Sequence, residues 1–168
     1  MHHTTSPRSR WGAAAGAALV LAALAVAPAA SAATSPRTTL CQKVSLAEVS
    51  KALGVKATKV STTLNGSVTV CWYQVGKNKN AVFVRTQTHD NAAGYNNDFK
   101  LAQKYGEHPK SVSNFKPYPA FTTWIGSASY GYTYSVTVLK KTTELGVGAT
   151  GTTLAKVEAL TAKVLPVI

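Results

Sequence analysis

The chain is poor in the side chains that carry most enzyme chemistry. Its 168 residues hold six acidic residues, four histidines, two cysteines and one methionine. His2 and His3 sit at the extreme N-terminus, so His89 and His108 are the imidazoles of the body of the chain. There is no Cys-x-x-Cys and no pair of histidines four apart, which excludes the common zinc-ligand patterns. His89 and Asp90 lie at one end of a predicted helix and Glu107 and His108 at the other, too far apart to share a metal. Asp98 has no carboxylate neighbour for glycosidase-type acid/base work. Arginine, the usual reader of base edges, recurs only at Arg37 and Arg85 after Arg10, which argues against sequence-specific nucleic-acid binding. The length rules out a large multi-domain enzyme.

What is present begins with an address. Arg8 and Arg10 precede an unbroken Ala, Gly, Leu and Val run over 13–27, Pro28 breaks it, and Ala30-Ser31-Ala32 offers a small-x-small cleavage site. Residues 1–32 are therefore expected to be a signal peptide. Its Ala-rich weakness and that site favour cleavage over an uncleaved anchor, leaving no transmembrane segment in the mature protein. Removing residues 1–32 takes away two arginines and no acid, so the net charge of +12 falls only to +10. The basicity belongs to the working protein. Export also sets the redox context: Cys41 and Cys71, an even pair, are expected to form a disulfide. A lipid-modified Cys41 is disfavoured because Leu40 stands where a small residue is wanted.

Residues 33–40 are expected to be a flexible tail and residues 41–168 a single domain, since 45% hydrophobic content supplies a packed core. Ser45-Leu46-Ala47-Glu48 is a capping box, Leu46, Val49 and Leu53 share a helical face, and Gly54 stops the helix. Strands are predicted over 57–63 and 68–75 around the Asn65-Gly66 hairpin signal, then over 81–88. Asp90 or Asn91 can cap a second helix that turns Ala92, Tyr95, Phe99 and Ala102 inward. Strands resume at 121–125, 129–139 and 144–147, and a last helix, capped by Thr152 or Thr153, ends at Pro166. The order α-βββ-α-βββ-α predicts an α+β fold: an antiparallel sheet of about six strands with helices packed on one face.

Cys41 before a short capped helix ending Ala52-Leu53-Gly54, then Cys71-Trp72 in a strand, Pro119-Ala120-Phe121 and a Leu-rich closing helix, resembles the small secreted proteins and lipoproteins of actinobacteria classed only as a domain of unknown function. The resemblance implies an envelope-exposed α+β domain with its two cysteines joined, and no established activity. Many such proteins carry a separate lipid-anchoring cysteine near the signal. This chain lacks one, so it is expected to be secreted, either released or held at the envelope by other contacts.

Two motifs mislead. Gly146-Val147-Gly148-Ala149-Thr150-Gly151 matches G-x-G-x-x-G, but only seventeen residues follow it, too few for a further parallel strand and its ribose-binding acid. Ser127-Ala128-Ser129-Tyr130-Gly131 misses the nucleophile elbow by its first glycine. No catalytic residue, metal or cofactor is assigned, and the protein is expected not to be an enzyme.

Binding is the remaining class. Tyr130, Tyr132 and Tyr134 alternate along one strand face into Val136 and Val138. That face either stacks on a ligand, with Trp124 joining it, or packs beneath a helix with its hydroxyls at the rim. Trp72 is expected to pack in the core around the disulfide. Lysine pairs such as Lys140 and Lys141 fall at turns, and a diffuse positive field attracts anionic envelope polymers or serves solubility alone. The leading expectation is a non-enzymatic exported domain that binds an anionic polymer or a protein of the cell envelope. The alternative is a carrier of a small apolar ligand in a cavity lined by Phe99, Phe121 and tyrosines, and a third is a secreted hydrolase.

Overall fold

The computed structural model describes residues 39–77, 80–89, 92–129 and 131–168. The expected leader, tail residues 33–38, the cap at Asp90 or Asn91, and Tyr130 lie outside the described residues. Helices α1 (Thr39–Lys43) and α2 (Leu46–Leu53) lead into a meander of β1 (Ala57–Asn65), β2 (Val68–Val75) and β3 (Asn80–Thr88). Helix α3 (Ala92–Lys104) then carries the chain to β4 (Lys110–Val112). A second meander follows, of β5 (Ala120–Ser127), β6 (Gly131–Lys140) and β7 (Thr143–Thr150), before α4 (Leu154–Val164) and a closing 3-10 turn. All seven strands form one antiparallel sheet in the order β1-β2-β3-β7-β6-β5-β4, so the meanders join where β7 pairs with β3.

The α+β class and antiparallel sheet are as the sequence implies, but the sheet has seven strands. The extra one, β4, is three residues long beside Pro109, too short to show an alternating pattern. The expectation that the helices share one face is also corrected. On the first face α2 and α4 bury Val49, Leu53, Val157, Leu160 and Val164 against Val82, Val84, Val136, Val138, Leu145 and Val147. On the second, α3 presses Tyr95 and Phe99 onto Phe121 and Leu139. Apolar periodicity reveals that a helix has a buried stripe, not which side of a sheet receives it.

Local signals set the elements. Ser45 Oγ accepts the Glu48 amide at 3.2 Å while the Ser45 amide donates to Glu48 at 2.8 Å, completing the capping box. Gly54 ends α2 at a φ of +68°, open to glycine without the Cβ penalty. Thr153 stands at the N-cap of α4, though its side chain makes no capping hydrogen bond. Each fully buried Val or Leu of the first face contributes about 1.5–3 kcal/mol. The Cys41–Cys71 disulfide pins α1 to β2, and Leu40 is buried beside it, so packing already includes the last residue of the expected tail. The fully buried Tyr73 donates its hydroxyl to the Val44 carbonyl at 2.8 Å, and burial pushes its phenol up to about 12. Among the described residues no helix is long and apolar enough to cross a membrane.

Candidate binding cleft

The strand register places side chains on the second face in two cross-sheet rows. One runs Trp72, Phe83, Gly148, Ser135 and Thr123; the next runs Val70, Arg85, Gly146, Thr137 and Phe121. Both rows have a glycine of β7 at their centre and hydroxyl side chains beyond it. A Cβ on Gly148 would run into the Phe83 ring, and one on Gly146 would meet the Arg85 side chain at 3.4 Å. The glycines therefore let larger neighbours lie flat across β7. This accounts for the glycine-rich run: β7 has antiparallel neighbours on both sides, and no βαβ unit exists here to hold a dinucleotide.

Helix α3 covers the Phe121 end of these rows and leaves the Trp72 end open. Between them lies a cleft of about 350 Å³ with Trp72 and Phe83 on one wall and Leu101 of α3 and Tyr105 just beyond it on the other. Trp72 and Phe83 pack with ring centroids 5.7 Å apart. Trp72 remains 43% exposed, Tyr105 66% and Leu101 37%. The expected role of Trp72 around the disulfide is thus corrected: it neighbours Cys71 in sequence, and successive strand residues point to opposite faces. Phe99 meets Phe121 edge-on at 5.2 Å and Tyr95 meets it tilted at 5.3 Å, and Phe99 and Tyr95 also line a second, open recess with Ser111 and Pro119.

At the closed end of the cleft four ionisable groups meet. Arg85 donates to Glu144 Oε1 in a close ion pair and to Asp98 Oδ2 at 3.4 Å, linking β3 to β7 and α3. His89 Nε2 lies 3.0 Å from Glu144 Oε2, its own amide donates to the Thr142 carbonyl at 2.8 Å, and its ring lies tight against Gly94. Glu144 is fully buried. Burial raises its carboxyl above the ordinary range, while Arg85 and the contact with His89 pull it back down. Burial together with the nearby Glu144 charge also lifts the Tyr95 phenol to about 12. His89, Asp98 and Glu144 present ligand atoms within 4.8 Å of one another. Arg85 already bridges the two carboxylates, so the arrangement satisfies itself as an ion-pair network. Asp98 therefore does have a carboxylate partner, Glu144, which sequence reasoning left as an ordinary strand residue. The pairing runs through β3–β7 register, and no sequence signal marks it.

The serines of the elbow-like motif do not approach His89. Ser127 and Ser129 belong to the β5–β6 turn, whereas His89 neighbours the β6–β7 turn at the far end of β6, about 30 Å away at strand rise.

The residues singled out for binding lie elsewhere and do not form one surface. Trp124, Tyr132 and Tyr134 gather on the first face, with Trp124 edge-on to Tyr132 at 5.6 Å and Tyr132 beside Tyr134 at 6.1 Å. His108, at a φ of +47°, stacks on Trp124 at 4.1 Å. Trp124 is 38% exposed, and Tyr134 packs partly against the core. Lys140 and Lys141 stand at the other end of β6, about 20 Å beyond Tyr134. Lys140 Nζ donates to the Leu165 and Ile168 carbonyls at 3.0 and 2.7 Å, closing the turn after α4, while Lys141 is exposed at the β6–β7 turn. No protein-family model matches the chain and no curated protein matches it, so the resemblance to actinobacterial exported proteins stands on its short motifs.

Proposed function

We propose that the protein is an exported, non-enzymatic binding domain of the cell envelope, and that its ligand occupies the cleft between α3 and the sheet. The observation that carries this reading is the cleft itself: exposed Trp72, Tyr105 and Leu101 converge on a floor of glycine and hydroxyl side chains. Large apolar side chains left in solvent around a concave site are characteristic of ligand pockets. Its charged lining is Arg85, Asp98 and Glu107, with Glu144 buried behind, and no lysine lines it. In a chain of net charge +12 this is an acidic spot. An amphipathic ligand with an apolar or aromatic body and a cationic end fits that lining by burial and by cation–π contact.

The test is a fluorescence titration of the full chain with a naphthyl trimethylammonium probe and its neutral naphthyl counterpart. Tighter binding of the cationic probe, weakened about tenfold or more by Trp72→Ala, is expected. Failure of both probes to bind sinks the reading. A second reading rests on the remaining surface, which is basic because three of the six acids lie in or under the cleft. On that reading lysines hold the domain to an anionic envelope polymer, and co-sedimentation with isolated envelope is lost at high salt. Co-sedimentation that is absent even at low salt removes it.

A further inference from the structure

The two edges of the sheet are guarded very differently. At one end stands β4, three residues long, and at the other β1, nine residues long. From Thr58 to Asn65 every residue of β1 is exposed, so neither sheet face is covered there. A long bare edge is a template for another strand, and proteins usually blunt it with bulges, prolines or inward charges. Here the protection is confined to the start: an irregular register between Ala57 and Lys59, and the charge of Lys59. The rest, Val60-Ser61-Thr62-Thr63-Leu64, is uncharged and mostly β-branched. Val60 and Leu64, 38% and 45% exposed, share one face with Thr62 between them, and Ser61 and Thr63 point the other way.

This pattern is complementary to itself. The regular part of the strand is Lys59–Asn65, and its midpoint is Thr62. We propose that β1 pairs antiparallel with β1 of a second copy of this chain about a two-fold axis at Thr62, joining two seven-stranded sheets into one. In that register Val60 lies opposite the second copy's Leu64, Ser61 opposite its Thr63, and Lys59 opposite its Asn65. Apolar meets apolar on one face, hydroxyl meets hydroxyl on the other, and no lysine faces a lysine, so each cross-strand pair is favourable or neutral. The contact is isologous and closes at two copies, leaving each β4 as the new outer edge. The net charge of +12 opposes association between copies, so screening by salt strengthens the dimer.

The experiment is sedimentation equilibrium of the full chain at low salt and at about 0.5 M salt. Wild type is expected to move toward the dimer mass with rising concentration, and more so in high salt. The double variant Val60→Lys/Leu64→Lys, altered at exposed positions only, is expected to associate at least tenfold more weakly. Association that survives this variant does not run through β1 and overturns the proposal, as does a wild type that stays monomeric throughout. Register is tested by single cysteines: Thr62→Cys is expected to cross-link between copies about tenfold faster than Ser61→Cys, because only Thr62 faces itself. Equal rates overturn the axis. A chain that stays monomeric yet binds an extended peptide along β1 transfers the edge to a foreign strand and overturns the second copy.

Discussion

Replacing Arg85 with methionine tests the ion-pair network and the pH behaviour it implies. Methionine retains an apolar stem over Gly146 and deletes only the charge and donors. Removing one partner of a buried pair costs about 3–5 kcal/mol, because the other charge is left without compensation. Glu144 is fully buried, but the Arg85 side chain is 33% exposed and partly screened by water, which lowers the expected loss to about 2–4 kcal/mol near neutral pH. Glu144 is a carboxyl whose folded-state value is raised above its ordinary 4.5, so the native chain holds that proton more tightly than the unfolded one. Its contribution is therefore fully present below 4.5 and is lost as pH rises through the folded-state value. Without Arg85 the downward pull on that value disappears, and the loss at neutral pH grows. Urea unfolding followed by tryptophan fluorescence should show Arg85→Met costing about 1 kcal/mol near pH 4, where the carboxyl is neutral, and several times that near pH 7.5. Adding Glu144→Gln should restore half or more of the loss at the higher pH. An equal loss at both pH values, with no recovery in the double variant, would refute the reasoning.

Other expectations follow from the same contacts. Replacing both Cys41 and Cys71 with alanine should lower unfolding stability by about 3.5 kcal/mol in the chain-entropy model for this loop, read from denaturant midpoints. Lys140→Met should cost about 1.5–3 kcal/mol by leaving the Leu165 and Ile168 carbonyls without their charged donor, and hydrogen exchange should quicken first around residues 160–168. Gly148→Val should destabilise strongly through collision with Phe83, and Phe83→Ala in the same chain should recover part of the loss. An alkaline absorbance titration should leave Tyr73 and Tyr95 protonated until about pH 12.

Much of the architecture is legible in local chemistry. The capping box at Ser45, Gly54 at the end of α2 and the Asn65-Gly66 turn each depend on residues within four positions of one another. The Asn65-Gly66 hairpin signal and the turn after Val75 place β2 and β3 within a residue of their bounds. The cysteines met as expected. What escaped was set by pairing across long sequence distances. Nothing near Glu144 in the chain announces Arg85, His89 or Asp98, and nothing near Trp72 reveals that its face opens into a cleft. The strand face of Tyr132, Tyr134, Val136 and Val138 is a mixture of the two alternatives: buried at Val136 and Val138, half-open at Tyr132 and Tyr134. Lys140 looked like a solvent-facing turn residue because the carbonyls it serves lie 25 and 28 residues further on.

The junction of the two meanders through β3 and β7 governs when this domain can become native. Those strands pair residues from 55 apart, Thr88 with Thr143, to 67 apart, Val82 with Ala149. The first meander and its cross-link can form early, since Cys41 and Cys71 are 30 residues apart. Until β7 arrives, however, Val82 and Val84 have no neighbour on that side, and α2 has no α4 to pack against. Almost the whole chain must therefore be available before the hydrophobic centre closes. Loop-closure entropy at these separations weighs against early β3–β7 pairing. A chain threaded across a membrane N-terminus first would emerge with its β3 edge bare and be completed last at its middle strand. During that interval the cross-linked hairpin is the part best placed to hold native shape.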